Sequence, residues 1–464
     1  VHNLERPFLD HDASSKLSVR ARGFHMARRV FVADTTTVVG TVVLLNLLRI
    51  VGTIVLTRLL NAEAYGVIGI VTSVSVVFAL ISDIGVIAFV VRHENGLDSE
   101  LLDEIWTIRL MRSVALTVGM MALAEPMAAF LQKPELFWPL VVGSLTFLLD
   151  GTSSLAVATA LRQNLVKRLS VIDLIASLFV FLTASLLAWL WGNFWAILFT
   201  NLLGQVLRSV LSYVLFPESS RRLRFSRARF VELWEFARYI TGSTMITLVL
   251  SQTDKLVLSR LFTLETLGLY VLASNLATAA VGLAASYTAR VLYPGLAACW
   301  RDSPASFRAE FYRQRMPLSA VYALCVGGMI ATSQLIVALL YDERYYGASL
   351  FLQLLSISTL FSLNTHAINE MMIACGRQYY TFRVNLVRLI FLAAFAYPAF
   401  YWQGPVGIVA VIGAMELVAQ LYGWVTLFRL SLLDWRRELL LLVIAGVGFA
   451  AGLVVNSVGL QLLR

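Results

Sequence analysis

The chain has 464 residues, 59% hydrophobic and only 14% charged, with a mean hydropathy of +0.77. Soluble domains carry charge on about a quarter of their residues, and a soluble chain this apolar would expose large patches and aggregate. The composition therefore excludes an ordinary soluble domain and predicts an integral membrane protein, in which the net charge of +9 reads as loop Lys and Arg rather than a nucleic-acid footprint.

Residues 1–35 are polar and mixed in charge, a cytoplasmic tail with no small-residue cleavage site after a short apolar core, so no removable leader is expected. A spanning helix takes about 20 apolar residues. Thirteen such runs follow. The first six lie at 36–60, 65–91, 105–123, 136–161, 169–190 and 194–216. The next six lie at 236–261, 264–293, 316–340, 347–375, 382–400 and 405–430, and a last one at 439–460. The fold expected is all-α and polytopic, with about 13 transmembrane helices. Cys299, Cys325 and Cys375 match no metal or redox spacing and read as small core residues. No metal or cofactor is expected.

The turn between the first two runs, RLLNAEAYGVIGIVTS at 58–73, recurs at 260–275 as RLFTLETLGLYVLASN. Arg58, Leu59, Glu63 and Gly66 map onto Arg260, Leu261, Glu265 and Gly268. In each copy the acid and the glycine read as a short loop, the acid as a cap and the glycine as the sterically free residue of a tight re-entry. A second echo pairs Arg162, Gln163 and Arg168 with Arg377, Gln378 and Arg383. Parallel repeats predict two halves. These are a six-helix lobe at 36–216, a basic cytoplasmic linker at 217–235, a second six-helix lobe at 236–430 and an extra helix in 431–464. The lobes are expected to be pseudo-symmetric around a central cavity.

Loop charge sets the orientation. With the N-terminus inside, cytoplasmic segments hold Arg28 and Arg29, the run from Arg221 to Arg229, Arg301 to Arg315, and Arg436–Arg437. The opposite loops hold little beyond Lys133 and Arg344. Residues 225–236 fit either an amphipathic helix on the inner surface or a plain basic linker.

Ionisable groups inside spans are costly and mark cavities or partners. Asn46, Arg49, Thr53 and Thr57 share one helical stripe of the first run, and Thr244, Thr247, Ser251, Asp254 and Lys255 one face of the seventh. The repeat aligns Ser251 with Arg49 and Lys255 with Thr53, so the two stripes are expected to face each other across the cavity. The bland alternative is buried pairing within each bundle. Arg109 and Arg112 read as snorkelling to headgroups. Asn201, Gln205 and Arg208, and His366, Asn369 and Glu370, are weaker polar sets, many of which serve as packing glue. Asp83, Asp254, Glu370 and Glu416 are the acids that could carry a coupling proton. No P-loop, zinc-protease or nucleophile-elbow motif occurs, and no external loop is long enough for a catalytic domain, so no enzyme is expected.

The ordered segments RLLNAEAYGVIGI, LRQNLVKRLSVIDLIASL, SQTDKLVLSRLFTLETLGLYVLASNLA, VLYPGLAACWRD, YDERYYGASLFLQLLSIS and ACGRQYYTFRVNLV resemble the polysaccharide transporter family. These are the Wzx-type flippases of the multidrug/oligosaccharidyl-lipid/polysaccharide exporter superfamily. The resemblance implies alternating access in the bacterial inner membrane, ion-gradient coupling, and a lipid-linked oligosaccharide on undecaprenyl pyrophosphate as substrate. It also implies work beside a polysaccharide polymerase and export machinery, and no nucleic acid. Arg49 is the residue expected to meet the pyrophosphate, because guanidinium pairs with phosphate oxygens in bidentate fashion. A multidrug or small-metabolite exporter of the same superfamily and a lipid II flippase are the alternatives.

Overall fold

A lipid-facing backbone must satisfy its own hydrogen bonds, and helix is the local way to do so. The computed structural model describes residues 41, 44–163, 165–216, 222–377 and 379–463, so the expected tail at 1–35 lies outside it; so do the side chains of 166, 238–251, 253, 290 and 463. The helices are α1 (44–59), α2 (Ala62–Ile81), α3 (Val86–Arg92), α4 (Ser99–Phe130), α5 (Phe137–Thr152), α6 (Ala156–Arg162), α7 (Val166–Trp191) and α8 (Trp195–Val214). The second half holds α9 (Arg227–Leu261), α10 (Leu264–Tyr287), α11 (Tyr293–Asp302), α12 (Phe307–Ala331), α13 (Ser333–Leu340), α14 (Ala348–Ala374), α15 (Tyr379–Arg429) and α16 (Trp435–Leu463). Among the described residues eight helices are long and apolar enough to cross a membrane, and the bent pairs α5/α6 (47°) and α12/α13 (75°) bring the number to ten. α15 also doubles back at Gly404 (φ 59°, ψ −139°), a backbone state open to glycine. The architecture is consistent with the thirteen expected spans.

The repeated turns differ from expectation in an informative way. Glu63 and Glu265 do not cap. They sit in the first turns of α2 and α10, where they complement the helix dipole. The caps are Asn61 and Thr263, each two positions before, accepting from Ala64 N at 3.1 Å and Thr266 N at 3.2 Å. Each cap is worth about 1 kcal/mol. Gly66 and Gly268 lie inside the helices, and their task is proximity rather than a turn. A Cβ on Gly66 would lie 2.0 Å from Leu264 O, and one on Gly268 1.7 Å from Ala62 O. The two halves thus cross at α2 and α10 with backbone against backbone, as small residues allow. Ala62 and Leu264 are themselves equivalent in the repeat, so the contact is two-fold.

Reciprocal loop contacts surround this crossing. Tyr345 OH, from the α13–α14 loop, donates to Leu60 O at 2.7 Å, and Arg344 Nη2 to Arg58 O at 3.2 Å. Lys133, from the α4–α5 loop, donates to Ser259 O at 2.8 Å, and Arg260 Nη1 bonds Phe130 O. Each half grips the other's hairpin turn.

At the opposite end, the segment after α8 docks on α4. Arg222 N donates to Asp103 Oδ1 at 3.2 Å and Arg224 N to Thr107 Oγ1 at 2.9 Å. α9 starts at Arg227, so residues 227–236 are its first turns and not a separate surface helix. Leu233 packs with Val90, Leu101 and Ile105, while Arg229 pairs with Glu104 and Glu232.

α16 packs closely on α12. A Cβ on Gly327 would meet Ala445 O at 2.2 Å, and one on Gly448 Leu324 O at 2.1 Å. Beside this crossing Arg315 and Glu438 form an ion pair at 2.7 Å with neither side chain exposed.

Candidate functional site

The first half contains two cavities that meet at α8. One, of about 580 Å³, is lined by Asn46, Arg49 and Thr53 of α1 and by residues of α5, α7 and α8, including Asn201, Gln205 and Arg208. The other, of about 760 Å³, is lined by Asp83, Arg109, Arg112, Asp150 and Asp173, and shares Gln205 and Arg208. Four arginines therefore face three aspartates. The break between α2 and α3 opens the second cavity: Gly85 takes φ 62° there, and its N–H donates to Asp83 Oδ1 at 2.9 Å.

The arginines are held differently. Arg109 Nη2 pairs with Asp150 Oδ2 at 3.0 Å, and Gln205 Nε2 reaches Asp150 Oδ1 at 3.3 Å. Arg208 stands 3.7 Å from Asp173, with both side chains about half exposed. Arg112 donates to two neutral acceptors, Ala79 O at 2.9 Å and Ser82 Oγ at 2.9 Å. Arg49 is exposed to the first cavity, and no described carboxylate pairs with it. The site has cationic charge free to meet an anion, beside amides and an apolar wall that includes Phe181.

Three of the five residues read as substrate-binding, Asn46, Arg49 and Thr53, line this space; the Thr53 hydroxyl bonds its own helix at Arg49 O. No described lining residue comes from α9. The α1 stripe opens on α5, α7 and α8, while most of the α9 stripe lies outside the described residues. Lys255 lies beside Asp254 on α9, where Tyr270 OH donates to Asp254 Oδ2 at 2.6 Å. The Ser251 side chain, like those of Thr244 and Thr247, lies outside the described residues. Of the acids, Asp83 lines the second cavity, Glu370 is half-buried on α14, and Glu416 pairs with Arg388 at 2.7 Å. Arg109, Arg112 and Arg208 line the second cavity. Arg388 was not among the residues singled out; an arginine in a span with Asn385 three positions before it was the available signal.

The chain is 23% identical to the lipopolysaccharide biosynthesis protein WzxC of Escherichia coli K12 over 328 residues, covering 69% of this chain and 65% of that one. It is 23% identical to the succinoglycan biosynthesis transport protein ExoT of Rhizobium meliloti over 300 residues, covering 65% and 60%. These matches span just under two thirds of either relative's length. A solved structure of the lipid II flippase MurJ, in an inward closed conformation, aligns with a TM-score of 0.70 at 12% identity, covering 90% of this chain and 93% of that chain. That likeness establishes the fold. Residues 55–350, more than half of the sequence, match the polysaccharide biosynthesis protein family, and the chain belongs to that family.

Proposed function

We propose that the protein carries oligosaccharide repeat units linked to undecaprenyl pyrophosphate across the bacterial inner membrane, by alternating access and with ion-gradient coupling. The observation that supports this most is the arginine-rich cavity of the first half, with Arg49 free of any described carboxylate, in a member of the polysaccharide biosynthesis family. Arg49 and Arg112 would take the pyrophosphate, bidentate geometry favouring Arg over Lys. Asn46, Asn201 and Gln205 offer donors and acceptors to saccharide hydroxyls. The segments 36–216 and 236–430 act in this reading as the two lobes that rock about the α2–α10 crossing, with 217–235 joining them and the N-terminus cytoplasmic. A polysaccharide polymerase and export machinery would receive the product.

The test is accumulation of lipid-linked oligosaccharide in a deletion strain complemented at equal expression. Wild type should clear the cytoplasmic-face pool, and Arg49→Ala should leave it. Rescue by Arg49→Ala would discard the site. Absence of any build-up in the deletion strain, with raised sensitivity to cationic toxins, would move the chain to the drug exporters.

A further inference from the structure

The two cavities differ in depth and in charge. On α7 the second cavity is lined by Leu169, Ile172 and Asp173, and the first only from Ala176 onward. On α8 the first takes Asn201 and Gly204, the second takes Ser212, and both take Gln205 and Arg208. The second cavity therefore lies toward the end where the linker docks on α4, and the first lies deeper. The described lining of the first cavity has Arg49 and Arg208 and no carboxylate. The second sets Asp83, Asp150 and Asp173 against Arg109, Arg112 and Arg208. One chamber is cationic and the other is balanced.

Two carboxylates of the balanced chamber are open. Asp150 pairs with Arg109, yet its side chain is 52% exposed. Asp173 is 47% exposed, and its 3.7 Å from Arg208 is too long for a hydrogen bond. The repeat supplies the contrast. Continuing the match of Arg168 with Arg383 sets Asp173 against Arg388. Arg388 is closed on Glu416 at 2.7 Å, with both side chains 16% exposed. The same position is a tight packing pair in the second half and an open acceptor in the first.

We propose that Asp150 and Asp173 are specificity-determining residues: the second cavity accepts neutral sugars through hydroxyls donated to these carboxylates, and rejects sugars that carry a uronate. The proposal rests on the flippase reading above. An ionised carboxylate only accepts hydrogen bonds, and those it accepts from hydroxyls are charge-assisted. A neutral sugar ring supplies hydroxyl donors on every side. A uronate group is itself acceptor-only. To enter, it must displace Asp150 from Arg109 or Asp173 from Arg208. That exchanges one carboxylate for another and leaves the displaced one beside a like charge. Arg112, which serves the diphosphate in the reading above, leaves three carboxylates facing two arginines in the rest of the chamber. The depth order gives the substrate its direction. The diphosphate and the sugar attached to it take the deeper chamber and its junction at Gln205 and Arg208, and the sugars beyond reach Asp150 and Asp173.

The experiment uses the full chain in nanodiscs of phosphatidylethanolamine and phosphatidylglycerol. Two probes are compared, farnesyl-diphosphate-linked disaccharides that differ only in the outer sugar, glucose in one and glucuronate in the other. Each competes against a tritiated form of the glucose probe. The glucose probe should bind wild type at least about tenfold tighter. Asp173→Asn keeps an oxygen acceptor and removes the charge, and should cut that ratio to less than about threefold. Asp150→Asn, which also frees Arg109, should cut it further. Asp173→Glu, which keeps the charge, should keep the ratio. A ratio of two probes cancels any general loss of affinity or of folded protein, so a destabilised variant still reads. Equal binding of both probes to wild type, a preference for glucuronate, or a ratio untouched by both Asn variants would overturn the proposal. Farnesyl diphosphate alone separates this from the parent reading. If it competes, and Arg49→Ala abolishes the competition, the cationic chamber stands whichever sugar is preferred. If neither it nor the probes bind, the flippase reading falls and takes the proposal with it.

Discussion

Replacing Glu438 by Ala isolates one buried charge. Glu438 Oε1 receives Arg315 Nη2 at 2.7 Å and Tyr312 OH at 3.1 Å, and Oε2 receives Trp424 Nε1 at 3.0 Å. Arg315 is wholly buried, and its Nε and Nη1 already lack partners. Deleting the carboxylate leaves a guanidinium whose remaining company is the faces of Phe311 and Tyr312, at 5.0 and 5.3 Å. Removing one member of a buried pair costs about 3–5 kcal/mol, whereas replacing both by apolar residues of similar volume is often neutral. The aromatic faces hold the guanidinium in both chains and place the loss at the lower end of that range. A net loss of about 3 kcal/mol remains, on the order of a hundredfold in the unfolding constant. The assay is equilibrium unfolding of the purified chain in mixed micelles against a rising fraction of denaturing detergent. Trp424→Phe, which removes one hydrogen bond to a charged group, should cost about 1.5–3 kcal/mol. Arg315→Met combined with Glu438→Leu should fall within about 1 kcal/mol of wild type. A Glu438→Ala chain as stable as wild type, or a double variant as damaged as the single one, would refute the reasoning.

Two other expectations concern the crossing between halves. Gly268→Ala puts a methyl 1.7 Å from a backbone oxygen, so α2 and α10 must part. Overpacking of this kind costs about 1–3 kcal/mol or more. Maleimide labelling of a cysteine at the buried Tyr65 should accelerate, and an unchanged rate would count against the contact. Lys133→Met and Tyr345→Phe each remove one cross-half hydrogen bond, worth about 1 kcal/mol for the neutral Tyr345 bond and about 1.5–3 kcal/mol for the charged Lys133 bond. Their effects on thermal stability should add, because the two contacts share no partner; strong non-additivity would show that they belong to one network.

Much of the fold was legible because the apolar runs are long and the punctuation between them is charged. The repeat was legible too, as four matched residues, but its meaning was not. Spacing cannot separate a glycine that turns a chain from one that lets two helices touch, and only the position of Ala62 O against Gly268 decides it. Charge runs misled in the same way. Arg315 stands among Arg308 and Arg313, which suggested a solvated loop, yet it is fully buried by a partner more than a hundred positions away. Arg109 and Arg112 looked like headgroup anchors because they sit near a span's end; the α2–α3 break that turns that end into a cavity wall is a tertiary feature. For the candidate site, Arg49 and its stripe were readable from helical period alone. The Asp150 and Asp173 partners of Arg109 and Arg208 were not, since no period relates one helix to another.

The α2–α10 crossing also carries a statement about ancestry. Two like surfaces meeting about a two-fold axis is the form of contact that a symmetric dimer makes, in which every residue is tested against its own copy. Here each glycine faces the first-turn carbonyl of the other repeat, so neither half can add a side chain at this position without displacing the other. Divergence is restrained from both sides at that one point. This accounts for a pattern in the sequence: the turn motif survives in both copies, while the polar stripe holds an arginine at position 49 in one half and a serine at the matching position 251 in the other.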